Sequence, residues 1–229
     1  MSREQEIRQQ LYDHTLVGHS KEVKELTEEA LSRGMKPQEI LFDVLIPSLQ
    51  EVGRRFEIGE YFVPEMLIAA KATQQALHVL RPFLAESGMQ PVGTVMMMTV
   101  KGDLHDIGKN LCNIMLEGAG FQVIDLGVNI SPEKMVEAIK QHRPSIIGYS
   151  ALLTTTMPMF KANIDALVKA GLRDGVKVMV GGAPVTQEYA NQVGAYGYAA
   201  DASAAVRLAK QLLVEAAHET VGSVMDRAD

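Results

Sequence analysis

The chain has 229 residues, 47% of them hydrophobic and 22% charged, enough for one large or two small packed cores. Its net charge of −6 and the lack of basic runs argue against a nucleic-acid partner, and no apolar run approaches the length that spans a bilayer. Cys112 is the single cysteine, so an intrachain disulfide is excluded and a reducing, cytoplasmic setting is expected; the charged start MSREQEIRQQ lacks the apolar stretch of a signal peptide.

Residues up to about Glu86 read as helix throughout. The first helix spans Glu4–Leu16. Ser20 can cap a second, running through Leu31 with Val23, Leu26, Ala30 and Leu31 on one face and Gly34 just beyond its end. Pro37 opens a third, carrying Ile40, Leu41, Val44, Leu45 and Leu49 inward, and Pro47 within it should bend or distort it. Glu57–Glu60 is a turn, and a fourth helix follows from about Val63 to Leu84. Four antiparallel helices with short turns predict a bundle over residues 1–88.

Glu86-Ser87-Gly88-Met89-Gln90-Pro91 reads as a hinge, and beyond it the pattern changes. Apolar, β-branched strands (VGTVMMMTV, FQVIDLG, SIIGYSAL, VKVMVGG and YGYAA) alternate with helices at Ile107–Glu117, Pro132–Gln141, Thr156–Ala170, Gln187–Val193 and Ala202–His218. Such alternation means a parallel sheet covered on both faces, and five units predict a flavodoxin-like, doubly wound α/β domain over residues 89–229. The polar end, Ser223–Asp229, is expected to fray. Methionine is abundant, at 13 residues, and suits irregular cavities.

In a parallel sheet the carboxyl ends of the strands share one rim, where ligands bind. Asp103-Leu104-His105-Asp106-Ile107-Gly108 falls there, between a strand and a helix. An imidazole so placed can offer one ring nitrogen to a metal while a neighbouring carboxylate holds the other. The same rim receives the hydroxyl-rich Ser150–Thr156, then Gly181-Gly182, where a flat ligand could approach the backbone, and then Ala199-Ala200-Asp201. Each feature also has a plain structural account. Asp103 and Asp106 could cap a helix, the threonines could start one, Gly181-Gly182 could be an ordinary turn, and Cys112 could be core.

Taken together, Asp103-x-His105-x-x-Gly108, Ser150-x-Leu152 and Gly181-Gly182, in this order, resemble the signature of cobalamin-binding domains. The helical half, through Val52–Phe56 and Gly59–Met66, is similar to the cap that precedes this domain in cobalamin-dependent methionine synthase and in the corrinoid proteins of methanol, methylamine and methoxy-arene methyltransferase systems. The resemblance implies a corrinoid cofactor bound base-off, alternating between methylcobalamin and cobalt(I), with His105 as lower axial ligand. Asp103 would hold the other nitrogen of His105, and Ser150 would extend that relay. Asp106, Gly108, Leu152, Thr154, Gly181, Gly182, Tyr198 and Asp201 would contact the cofactor or its nucleotide tail, with Phe56 and Met66 among the cap residues. It further implies a methyl carrier, without catalysis of its own, serving a donor-specific methyltransferase, an acceptor methyltransferase acting on tetrahydrofolate or a thiol, and a reductive activator. The bundle would swing at residues 86–91 to uncover the cofactor. A cobalamin-dependent sensor and an adenosylcobalamin mutase subunit share parts of this signature and stay open at this point.

Overall fold

The computed structural model describes residues 2–86 and 91–225, and divides into two compact units: Met1–Val92 with Ile114–Phe121, and Gly93–Asn113 with Gln122–Asp229. The expected hinge residues 87–90, and residues 226–229 of the polar end, lie outside the described residues.

The first unit is helical. Helix α1 (Arg3–Val17) begins with a capping box in which Ser2 and Gln5 bond each other's backbone. Helix α2 (Ser20–Ser32) is capped at His19 rather than Ser20, and His19 makes no side-chain capping bond. The third predicted helix is interrupted. Helix α3 (Pro37–Ile40) passes through a π-turn at Leu41–Leu45 into α4 (Ile46–Glu57). Pro47, which has no N–H to give, sits in the first turn after this widened stretch, as its missing bond demands. Helix α5 (Val63–Glu86) completes the unit. Its core gathers Ile7, Leu11, Val23, Ile40, Leu45 and Leu80. Thr15, Thr27 and Thr73 are also fully buried. Each turns its hydroxyl back onto the carbonyl four residues earlier, at 2.7, 2.6 and 3.1 Å, so none of the three hydroxyls is stranded.

The second unit is the expected doubly wound α/β domain. Strands β1 (Thr94–Thr99), β2 (Gln122–Asp125), β3 (Ile146–Ser150), β4 (Lys177–Gly181) and β5 (Gly197–Ala199) are all parallel, in the order β2-β1-β3-β4-β5. Between them run α6 (Ile107–Gly118), α7 (Pro132–His142), α8 (Met159–Lys169), α9 (Gln187–Val193) and finally α10 (Ala202–Met225). Alternation along the strands sorts the sheet into two faces. Met96, Met98, Ile147, Tyr149, Val178 and Val180 pack under α7, α8 and α9 with Met135, Phe160 and Val193. Met97, Gly148, Met179 and Gly197 point the other way, where a side chain at Gly197 would meet Leu208 of α10 and where α6 reaches Asp125. Helix α8 starts at Met159, three residues later than its sequence suggests, because Leu153–Met157 forms a separate turn.

Strand order turns back between β1 and β3, so the loops that follow these two strands flank the crevice at the topological switch point. Those loops carry His105 and the threonine run.

Candidate functional site

Asp103 organises the crevice. It is fully buried, and both its oxygens are saturated. Oδ1 accepts from the backbone N–H of His105 at 3.1 Å and lies 2.7 Å from His105 Nδ1. Oδ2 accepts from the backbone N–H of Leu152 and Leu153, at 2.8 and 3.2 Å, and from Thr156 Oγ1 at 2.7 Å. Burial alone would raise the pKa of Asp103, but the hydrogen bonds from Thr156, His105 and Leu152 outweigh it and hold the carboxyl well below the usual carboxylate range. The group is therefore ionised at neutral pH, and as an acceptor it pins Nδ1 as the protonated ring nitrogen.

That leaves Nε2 of His105 as the free ring nitrogen, on a side chain that is 52% exposed. The loop around it is tied on three sides. Thr99 Oγ1 donates to the His105 carbonyl at 2.9 Å. Asn129, in a left-handed conformation, accepts from Gly102 N–H at 2.8 Å and donates its own N–H to the Asp103 carbonyl at 3.0 Å. Asp106 is exposed and starts α6, accepting from Asn110 through both its carbonyl and its carboxylate. One turn into α6, the buried Lys109 gives its ammonium to Asp125 at 2.6 Å, and Asn113 joins the same oxygen at 2.9 Å. The helix that follows His105 is thus moored to the end of β2.

Four large apolar side chains stand in the open on the two loops that meet at Asp103. Leu104 and Ile107 are 69% and 70% exposed, and Leu152 and Leu153 are each 42% exposed. Apolar surface left bare around a tethered, unshared imidazole nitrogen suits a ligand with a metal centre and a broad apolar body. Among the described residues no three His, Cys, Asp or Glu side chains gather as a cage that could hold a metal ion.

The other expected residues fall as follows. Gly108 is exposed with nothing near a would-be side chain, and Thr154 is exposed on the Leu153–Met157 turn. Ser150 and Gly181 share a row with Thr99 and Ala199 on the α6 and α10 face. The hydroxyl that bonds Asp103 is not Ser150, as expected, but Thr156, which the sequence hid within a run of three threonines. Tyr198 packs against the core on the opposite face and is separated from Ser150 and Gly181 by the sheet. Asp201 caps α10, accepting from Ala204 N–H at 2.7 Å. Its charge and, above all, burial push the Cys112 thiol up to about 12, which leaves it protonated at neutral pH. Phe56 and Met66 belong to the helical unit, where Phe56 is half-buried and Met66 fully buried.

Gly182 also has a local structural reason to be glycine. At Gly182, φ is +131°, and any Cβ would drive into the carbonyl of Ala151 at the end of β3. Gly108 is the freer probe. For Gly108→Ala we expect stability unchanged or raised by about 0.5–1 kcal/mol, because alanine is the better helix former. Any weakening of ligand binding by Gly108→Val, measured on folded protein, then reports contact at the rim.

A family model described as a B12 binding domain matches residues 93–207, and a second of the same description matches residues 7–81. A trimethylamine corrinoid protein of Methanosarcina acetivorans is 41% identical over 192 residues, 83% of this chain and 89% of the relative. A dimethylamine corrinoid protein of Methanosarcina barkeri is 40% identical across 93% of this chain and all of its own length. Among solved structures, a cobalamin-binding protein from Desulfitobacterium hafniense superposes with a TM-score of 0.75 at 29% identity, covering 93% and 99% of the two chains. The methanol:cobalamin methyltransferase complex of Methanosarcina barkeri gives a TM-score of 0.79 at 27% identity, covering 91% and 80%. Among the described residues no helix is long and apolar enough to cross a membrane.

Proposed function

The chain belongs to the B12-binding corrinoid proteins of methyltransferase systems, and from that we propose that it is a methyl carrier whose cobalamin is held base-off by His105. The observation that supports this ligand is the pairing at Asp103: a buried carboxylate, ionised at neutral pH, holds Nδ1, so the lone pair of Nε2 is directed outward. The cofactor, when bound, supplies a cobalt centre that is nucleophilic as cobalt(I) and releases the methyl group as an electrophile. The residues of this chain position and insulate it.

His105 would donate to the metal through Nε2, and Asp103 would raise the donor strength of the imidazole through Nδ1. Leu104, Ile107, Leu152 and Leu153 would offer an apolar platform that limits water near the metal. Gly108, Ser150 and Gly181 would border the entry of the nucleotide tail between the sheet and its α6 and α10 face, with Leu152 and Thr154 at the edge. Methyl donation would fall to one partner methyltransferase and acceptance, onto tetrahydrofolate or a thiol, to another, with a reductive activator restoring cobalt(I).

Reconstitution with hydroxocobalamin under reducing conditions tests this directly. The expected product is a stoichiometric complex whose cobalt(II) resonance is split by one nitrogen, with the splitting pattern altered when the protein is grown on ¹⁵N-histidine. A complex whose splitting ignores the isotope would retain the cofactor's own base, and the assignment of His105 would fall.

A further inference from the structure

Gly148 lies at the centre of β3 and pairs in register with Met97 of β1 on one side and Met179 of β4 on the other. A side chain at 148 would strike the Met97 sulfur and come within 3.2 Å of Met179 Cε, so both thioethers lean over the glycine. The two methionines are 5% and 2% exposed. They occupy the α6 and α10 face, one row deeper than Thr99, Ser150, Gly181 and Ala199, the row that borders the rim. From the rim inward this face therefore presents small and hydroxyl side chains, and then two unbranched ones that converge on a residue with none. Branched side chains in a strand are confined to few rotamers, whereas a methionine can swing its thioether aside and form a favourable sulfur–aromatic contact with a flat ring.

We propose that Met97 and Met179 are specificity-determining residues, a movable floor that sets which heterocyclic base the chain accepts on the nucleotide tail of its corrinoid. They have this role only if the chain binds corrinoid with its base displaced, as proposed. An adaptable floor admits bases of different outline; a stiff one selects among them.

Three probes separate the possibilities: cobalamin, its adenine-bearing analogue, and cobinamide, which has no nucleotide. Binding is followed by the visible spectrum in the full chain, in Met97→Ile and Met179→Ile, and in the gentler Met97→Leu and Met179→Leu. The parent should bind the two tail-bearing forms within about threefold of each other, and each isoleucine variant should separate them by about tenfold. Cobinamide affinity should stay within about twofold of the parent in every variant, since that probe never reaches the floor. Isoleucine and leucine variants that keep the parental ratio, or that lose cobinamide as severely as cobalamin, would overturn the floor. A parent that binds none of the three would overturn the corrinoid reading itself.

Discussion

With His105 as the proposed metal ligand, Asp103→Asn should give a folded chain in which that ligation is lost. The carboxylate serves five donors, three on Oδ2 and two on Oδ1. An asparagine keeps one acceptor oxygen, and the cluster of Leu152, Leu153 and Thr156 claims it. The amide NH2 then faces His105, Nδ1 becomes an acceptor, and the ring proton moves to Nε2, where it blocks the lone pair. Loss of an outer partner of this kind weakens metal affinity by about 10–100-fold, and the stranded N–H of His105 adds a stability cost of about 1–3 kcal/mol. The histidine-dependent splitting in the cobalt(II) spectrum should vanish. If it persists in Asp103→Asn, the carboxylate is not what sets the tautomer.

The same substitution carries a pH signature. An unfolded aspartate titrates near 3.9, and Asp103 is held below the usual range by its hydrogen bonds. Its folded pKa is thus depressed, so its stabilisation is complete above about pH 4 and drains away as pH falls toward 2. The stability gap between the parent and Asp103→Asn, measured by denaturant titration, should be constant near neutrality and shrink in that acidic window. A gap that grew on acidification would contradict the depressed pKa.

Gly182→Ala should be the most destabilising single-methyl change in the β-sheet unit, by about 3 kcal/mol or more. Its φ of +131° is strained for any L side chain, and the obstruction is the backbone oxygen of Ala151, not a yielding side-chain tip. Relief would require β3 and β4 to part where Ala151 N–H bonds the Gly181 carbonyl at 3.2 Å. Because Ala151 precedes Leu152 and Leu153, the damage should spread to the amides that hold Asp103. Thermal unfolding without ligand measures the effect. An unchanged melting temperature would show that this loop relaxes freely.

The order of elements was legible because the two halves follow different grammars: 3.6-residue periodicity to Glu86, then apolar strands separated by capped helices. Local signals were enough for α9, which begins at Gln187 and ends at Val193 as its cap and Gly194 dictate. They failed where distant contacts decide. Thr156 bonds a residue 53 positions away, and that contact, invisible to spacing, turns Leu153–Met157 aside and delays α8. Lys109 passes for a surface lysine until β2 brings Asp125 to it. The resemblance implied Tyr198 as a cofactor contact, and strand alternation turns it to the face opposite Ser150 and Gly181. At Gly182 the close approach to the Ala151 carbonyl is set by the neighbouring strand and cannot be read from spacing.

The ties around His105 have a kinetic consequence. A side chain that orders only on meeting its partner gives up about 0.5–1.5 kcal/mol of rotational freedom each time. Here Thr99, Asn129 and Asp103 fix loop and ring within the folded chain itself. A metal centre held through Nε2, as proposed, would therefore meet a donor already in place rather than one that must first be ordered.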